Sequence, residues 1–203
     1  YCWTLTSVLL QFIILKYKIN RATYLDSDLY FFSNPNVLIQ EMLDSNKHVL
    51  ITEHAYDPKY DQIALSGRFC VQFMTFNNTT GGLKVLQWWK EKCIEWCYAR
   101  HEDGKFGDQK YLDQWPMIFN EEVHILYKKD KTLAPWNVSY FSKKGITLEP
   151  VFYHFHGFRL LKNNSAILFN GYYIDKNVNF IYETYLISIK RTLKIMNELN
   201  IEF

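Results

Sequence analysis

A long apolar run is missing from this chain of 203 residues. The best stretch, residues 5–15, is interrupted by Thr6, Ser7 and Gln11 and ends at Lys16. A membrane-spanning helix needs roughly twenty such residues, so no transmembrane segment is expected. A basic leader with a cleavage site is also lacking, and so is an initiator Met. Tyr1 falls inside a helical pattern, which makes a fragment the expectation. Charge of one sign is scarce: 23 Lys and Arg against 21 Asp and Glu give a net +2, which makes no electrostatic case for nucleic acid. Only four cysteines occur (Cys2, Cys70, Cys93 and Cys97), with no CxxC and no histidine at zinc-ligand spacing. Cys93 and Cys97 fall one helical turn apart in an apolar pattern and read as buried thiols, pointing to a reducing compartment. Internal repeats and low-complexity tracts are absent as well.

What the chain has in quantity is apolar and aromatic surface, 48% and 18% of residues. That composition predicts a compact globule with a substantial core, one large domain or one and a half small ones. Helical spacing predicts helices over residues 4–18, 36–45, 79–100 and 178–199, the last with Lys190, Arg191 and Lys194 on a basic side. Strands are predicted over 21–26, 48–52, 69–76, 121–127 and 146–155, the last broken near Pro150. The polar segment 57–67 reads as irregular. Strands separated by helices predict an α/β fold with a mostly parallel sheet. Asn163-Asn164-Ser165 marks the expected boundary between residues 1–162 and a C-terminal helical appendage over 163–203.

Asp26-Ser27-Asp28 ends the apolar strand Ala22-Thr23-Tyr24-Leu25 and is followed by Leu29-Tyr30-Phe31-Phe32. Two carboxylates at the end of a strand lie where open α/β sheets bind ligands. Charge held among so many aromatic residues calls for a compensating cation, and a divalent metal with oxygen ligands supplies one. The plainer reading is an Asp-rich turn after a strand. Further on, Tyr153-His154-Phe155-His156-Gly157-Phe158-Arg159 closes an apolar strand. His154 is a candidate third ligand, Gly157 lets backbone approach a phosphate, and Arg159 suits phosphate oxygens. His156 reads as an ordinary histidine. Asp108 follows a glycine and suits an N-cap as well as a site. Trp136-Asn137 offers an aromatic platform and an amide, chemistry suited to a sugar or a base, or else a buried Trp that locks a turn.

Taken in order, Tyr24-Leu25-Asp26-Ser27-Asp28-Leu29-Tyr30-Phe31, Asp108-Gln109-Lys110-Tyr111-Leu112, Ala134-Pro135-Trp136-Asn137 and His154-Phe155-His156-Gly157 resemble metal-dependent nucleotide-sugar glycosyltransferases. The similarity is to family 8-like enzymes, relatives of glycogenin and galactosyltransferases, and to bacterial nucleotide-diphospho-sugar transferases. It runs from Tyr1 to about Arg159. The resemblance implies a GT-A-type, Rossmann-like mixed sheet, mostly parallel and flanked by helices, with a C-terminal helix. It implies Mn²⁺ or Mg²⁺ on Asp26, Asp28 and His154, with Asp108 and Gln109 facing the transferred sugar. Donor contacts would come from Asp26, Gly157, Arg159, Trp136 and Asn137. The implied partners are a nucleotide-sugar donor, UDP-sugars first, and a glycan, lipid-linked or protein acceptor. Polysaccharide biosynthesis in the cytoplasm, with peripheral contact at the inner membrane surface, is the implied setting.

Three departures stand out. The family's Lys-Pro-Trp after HxxG is here Leu160-Leu161-Lys162, so phosphate contact falls to Arg159 or Lys162. Cys70 stands where many relatives carry a sugar-binding Asn. Only 25 residues precede Asp26, so the family's first nucleotide-binding βαβ unit is expected to be missing and the chain N-terminally truncated. If the resemblance holds, the metal neutralises the departing diphosphate and Gln109 sits near the anomeric carbon. Asp108 holds sugar hydroxyls or, in an inverting variant, acts as general base. Two rivals are a haloacid-dehalogenase-type phosphatase with Asp26 as nucleophile, against which Leu29-Tyr30 replace the usual Gly and Thr, and a non-catalytic truncated remnant.

Overall fold

The computed structural model describes residues 2–162 and 165–201. Helix α1 (Cys2–Tyr17) and strand β1 (Arg21–Leu25) come first, then strand β2 (Leu29–Phe31) and helix α2 (Asn36–Asp44). Strand β3 (Val49–Glu53), the short helix α3 (Ile63–Ser66), strand β4 (Phe69–Asn77) and helix α4 (Thr80–Glu95) follow. Beyond a 3-10 segment at Gln109–Gln114 lie helix α5 (Trp115–Ile118), strands β5 (Val123–Ile125) and β6 (Thr132–Leu133), and helix α6 (Val138–Lys143). Strand β7 (Phe152–His154), the paired strands β8 (Arg159–Leu160) and β9 (Ala166–Ile167), and helix α7 (Asn179–Glu198) come last.

The architecture is mixed α/β, with mixed sheets flanked by helices and a C-terminal helix, as expected. One sheet has the order β1-β4-β3-β5 and a second the order β2-β7-β6. The balance of pairings differs from the expectation. Only β3 with β5 and β6 with β7 run parallel; β1 with β4, β3 with β4, β2 with β7 and β8 with β9 run antiparallel. Parallel pairs need a long crossover. The sequence order of strands and helices does not reveal that β4 returns between β1 and β3.

All nine positions of β4 are buried, because it has a strand on each side and helices over it. The β3–β4 ladder shifts register between Leu50 and Thr52. A bulge exchanges the faces of a strand, so Phe69 and Val71 before it and Met74 and Phe76 after it all join the core formed with Leu10 and Ile14 of α1 and Val85, Leu86 and Trp89 of α4. Phe73 faces the other way, into a cluster with Leu38 and Met42 of α2 and Phe152 of β7. Thr79 caps α4 by accepting from the Gly82 N–H. That helix ends at Glu95 rather than near 100. Trp96 leaves it in extended conformation, its carbonyl accepting from the Tyr111 hydroxyl and its indole donating to Glu102.

The boundary expected at Asn163 and Asn164 lies outside the described residues. Past it, Ile174, Val178, Ile181 and Tyr182 pack in one cluster with Leu133, Tyr153 and Phe155, so α7 is anchored on β7. At the opposite end β1 is an edge strand, and α1 exposes Leu9, Phe12 and Leu15 at about half of their surface. Among the described residues, no helix is long and apolar enough to cross a membrane.

Candidate metal and sugar site

The two sheets meet at Asp26 and Asp28. The Asp26 N–H extends the β1–β4 ladder by donating to the Gln72 carbonyl at 3.0 Å, and the Asp28 carbonyl extends the β2–β7 ladder by accepting from the Phe155 N–H at 2.8 Å. The acidic turn therefore passes the chain from one sheet to the other. Because Leu29 lies opposite His154 in the second sheet, the turn also delivers Asp28 to the imidazole. Asp28 Oδ1 lies 3.0 Å from His154 Nε2, and Asp26 Oδ2 lies 4.0 Å from the same nitrogen. The Tyr24 hydroxyl donates to the other Asp26 oxygen at 2.8 Å.

His154 is buried and is held from behind. Its Nδ1 lies 2.8 Å from Gln72 Oε1, while Gln72 Nε2 donates to Thr52 Oγ1 at 3.2 Å. The Gln72 oxygen is an acceptor, so Nδ1 carries the proton and Nε2 is left facing a carboxylate oxygen. Two acceptor atoms 3.0 Å apart repel unless a proton or a metal cation lies between them. Donors cis to one another at about 2.1 Å from an octahedral ion lie about 3.0 Å apart. The set of carboxylate oxygens and an oriented imidazole thus fits a divalent metal, with Gln72 as the outer partner that fixes the ligand's tautomer. Burial raises the Asp28 carboxyl, but where a proton rather than a metal fills the gap, the Nε2–H and positive charge of the doubly protonated His154 outweigh burial and hold Asp28 below the usual carboxylate range.

His156 joins this group. A nitrogen of His156, a nitrogen of His154 and an oxygen of Asp28 all lie within 4.8 Å of one another. Sequence reasoning missed both His156 and Gln72. The signals were a His-X-His pair at a strand end and a lone amide within an apolar strand, which must find a partner when buried.

Asp26, Asp28, His154 and His156 line an open cavity of about 400 Å³ whose other walls include Tyr56, Trp136, Tyr172, Cys70 and Gln109. Trp136 stands 5.1 Å from His154 and 5.6 Å from His156, ring centre to ring centre. The remaining expected site residues are placed as follows. Gln109 reaches the cavity while its amide nitrogen donates to the Ser66 carbonyl, leaving its oxygen spare. Asp108 is buried behind the wall and is not among the lining residues. Burial, then negative charge on the Cys97 thiolate and on Asp26, push its carboxyl up to about 8, which favours the protonated form near neutral pH.

Asn137 departs from the expected donor contact. Its oxygen accepts from the Ala134 N–H and its nitrogen donates to the carbonyls of His54 and Thr132. The whole amide is spent locking the turn that presents Trp136. Arg159 is exposed, folds back on the Phe158 carbonyl and does not line the cavity. Gly157 has φ +81°, and a Cβ there would lie 3.2 Å from the Asn170 nitrogen. Its glycine serves a turn packed on Asn170.

No protein-family model matches the chain. The chain belongs to the family of the uncharacterized protein YfnF of Bacillus subtilis (strain 168), with which it is 30% identical over 217 residues, covering 100% of this chain and 71% of YfnF. Partial likeness is found to two solved structures. Mouse xyloside xylosyltransferase 1, in its apo form, shares 18% identity at a TM-score of 0.44, over 81% of this chain and 64% of that one. The glycosyltransferase GlyE of Streptococcus pneumoniae TIGR4 shares 17% at a TM-score of 0.49, over 95% and 47%. The chain thus spans under two thirds of either solved structure.

Proposed function

We propose that the protein is a glycosyltransferase of GT-A type, moving a sugar from a nucleotide-diphosphate donor to a glycan, lipid-linked or protein acceptor. A UDP-sugar is the favoured donor, with Mn²⁺ or Mg²⁺ held by Asp26, Asp28 and His154. The observation that carries this reading is the meeting of two carboxylates and an oriented imidazole in a cavity whose other walls combine aromatic rings with polar side chains such as Gln109. Metal and diphosphate chemistry would occupy the charged side and a pyranose ring the aromatic side.

When bound, the ion would supply charge neutralisation for the departing diphosphate. The chain's own residues do the rest. Gln72 holds the His154 ring so that Nε2, not Nδ1, faces the carboxylates. Tyr172, half-buried at the cavity wall, offers an apolar ring to a sugar, while Trp136, buried and with its indole N–H anchored on the His54 carbonyl at 2.9 Å, backs the His154 and His156 rings. The spare oxygen of Gln109 is available to positive charge developing at the anomeric carbon. Asp108, protonated near neutrality, suits a hydrogen-bond donor better than a general base.

The test is consumption of a panel of UDP-sugars, followed by chromatography with Mn²⁺, with Mg²⁺ and with EDTA. Turnover should require the metal and should fall to background in Asp28→Ala, whose Mn²⁺ binding, read by calorimetry, should vanish. Turnover that survives EDTA, or an aspartyl-phosphate trapped at Asp26, would replace this reading with another.

A further inference from the structure

His156 has no role in the site as set out above, yet it is built into it. In an extended segment, residues two apart share a face. His154 and His156 obey that rule across the end of β7, their ring centres 5.7 Å apart and their planes perpendicular. The turn that follows, closed by the Phe158 N–H donating to the Phe155 carbonyl at 2.9 Å, leaves the His156 ring between Trp136 and Tyr172, at 5.6 and 6.2 Å. Among the described residues, neither of its ring nitrogens has a hydrogen-bond partner. A ring positioned by two aromatic neighbours, unpaired, and within 4.8 Å of Asp28 and His154 has the placement of a metal ligand.

We propose that His156 is a metal-ligating residue, and that two imidazoles beside the Asp28 carboxylate make the site prefer transition-metal dications such as Mn²⁺ and Co²⁺ over Mg²⁺. The inference rests on the metal site proposed above. Mg²⁺ takes oxygen ligands and gives up its waters reluctantly, while imidazole suits first-row transition ions, with Co²⁺ above Mn²⁺ in the general order of affinity.

The experiment titrates the chain with Co²⁺ alone, read by its visible absorption, and with Mg²⁺ in competition. It is run on the wild type, His156→Ala, His156→Gln and Asp28→Ala. Because the His156 side chain is exposed, its variants should keep the wild-type circular dichroism. We expect Co²⁺ affinity to drop by about tenfold or more in both His156 variants, at least the loss that follows removal of an outer-sphere partner. Mg²⁺ affinity should stay nearly level, so the Co²⁺-to-Mg²⁺ ratio shrinks, and the Co²⁺ spectrum should change shape as a nitrogen ligand is lost. An unchanged ratio and spectrum in the His156 variants would overturn the assignment while leaving the site on Asp26, Asp28 and His154 in place. Unchanged binding in Asp28→Ala would remove that site, and the assignment with it.

Discussion

Replacing Asp108 with Asn should flatten the pH dependence of stability, and the size of the effect follows from where the carboxyl sits. Asp108 is 5% exposed, and burial is the main reason its carboxyl is pushed up to about 8. In the unfolded chain an Asp titrates near 3.9. Between those two values the native state keeps a proton that the unfolded state has lost, so native binds more protons and stability falls as pH rises. One proton of difference corresponds to about 1.4 kcal/mol per pH unit, or about 3 kcal/mol between pH 5 and pH 7. Above about pH 8 both states are ionised at this position and its contribution levels off. The assay is urea unfolding at pH 5, 6, 7 and 8 in EDTA, comparing midpoints of the wild type and Asp108→Asn. An amide cannot ionise, so the variant should lose this slope and be the more stable protein at pH 8. If both proteins show the same slope from pH 5 to 8, the buried carboxyl does not hold its proton and the argument against Asp108 as a base at neutral pH fails.

Gln72→Leu should weaken Mn²⁺ binding by roughly 10–100-fold, because His154 loses the acceptor that fixes its tautomer; titration followed by the free-Mn²⁺ spin signal reads this directly, and unchanged affinity would show that the tautomer does not matter. Tyr182→Phe should cost about 1–3 kcal/mol in urea unfolding, since the fully buried Tyr153 hydroxyl has its 3.0 Å partner in Tyr182. Adding Tyr153→Phe should recover part of that loss, and a double variant no better than the single would show that the pair is not hydrogen-bonded.

Much of the fold was legible wherever an element carries its own pattern. The strand expected at 69–76 is β4 at Phe69–Asn77, and the helix expected at 178–199 is α7 at Asn179–Glu198. Of the elements of two or three residues, β5 and β7 fall within expected strands at 121–127 and 146–155, and the others were not legible. β2 and β6 owe their extended form to pairing with the distant β7, and β8 and β9 to pairing with each other; periodicity over so few residues carries no signal. Within 146–155 only Phe152–His154 forms a strand, because β7 pairs with both β2 and β6 over that short span alone. The segment 57–67, read as irregular, contains a 3-10 turn at Pro58–Tyr60 and the single-turn helix α3.

The candidate site divides along a similar line. Asp26, Asp28 and His154 stand out in the sequence because carboxylates and an imidazole close apolar strands there. Asn137 and Arg159 carry chemistry equally suited to a donor, but the sequence cannot say what else competes for their polar groups. Backbone carbonyls at Thr132 and His54 take the Asn137 nitrogen, and the Phe158 carbonyl takes the Arg159 guanidinium. His156 is the reverse case. As an isolated residue beside a turn it suggests nothing, and it gains meaning only once β7 is seen to end at His154 with the strand's two-residue period running on past it. The strand that carries His154 was expected within 146–155; what the sequence could not supply is that the turn after β7 leaves the His156 ring within reach of Asp28 and His154.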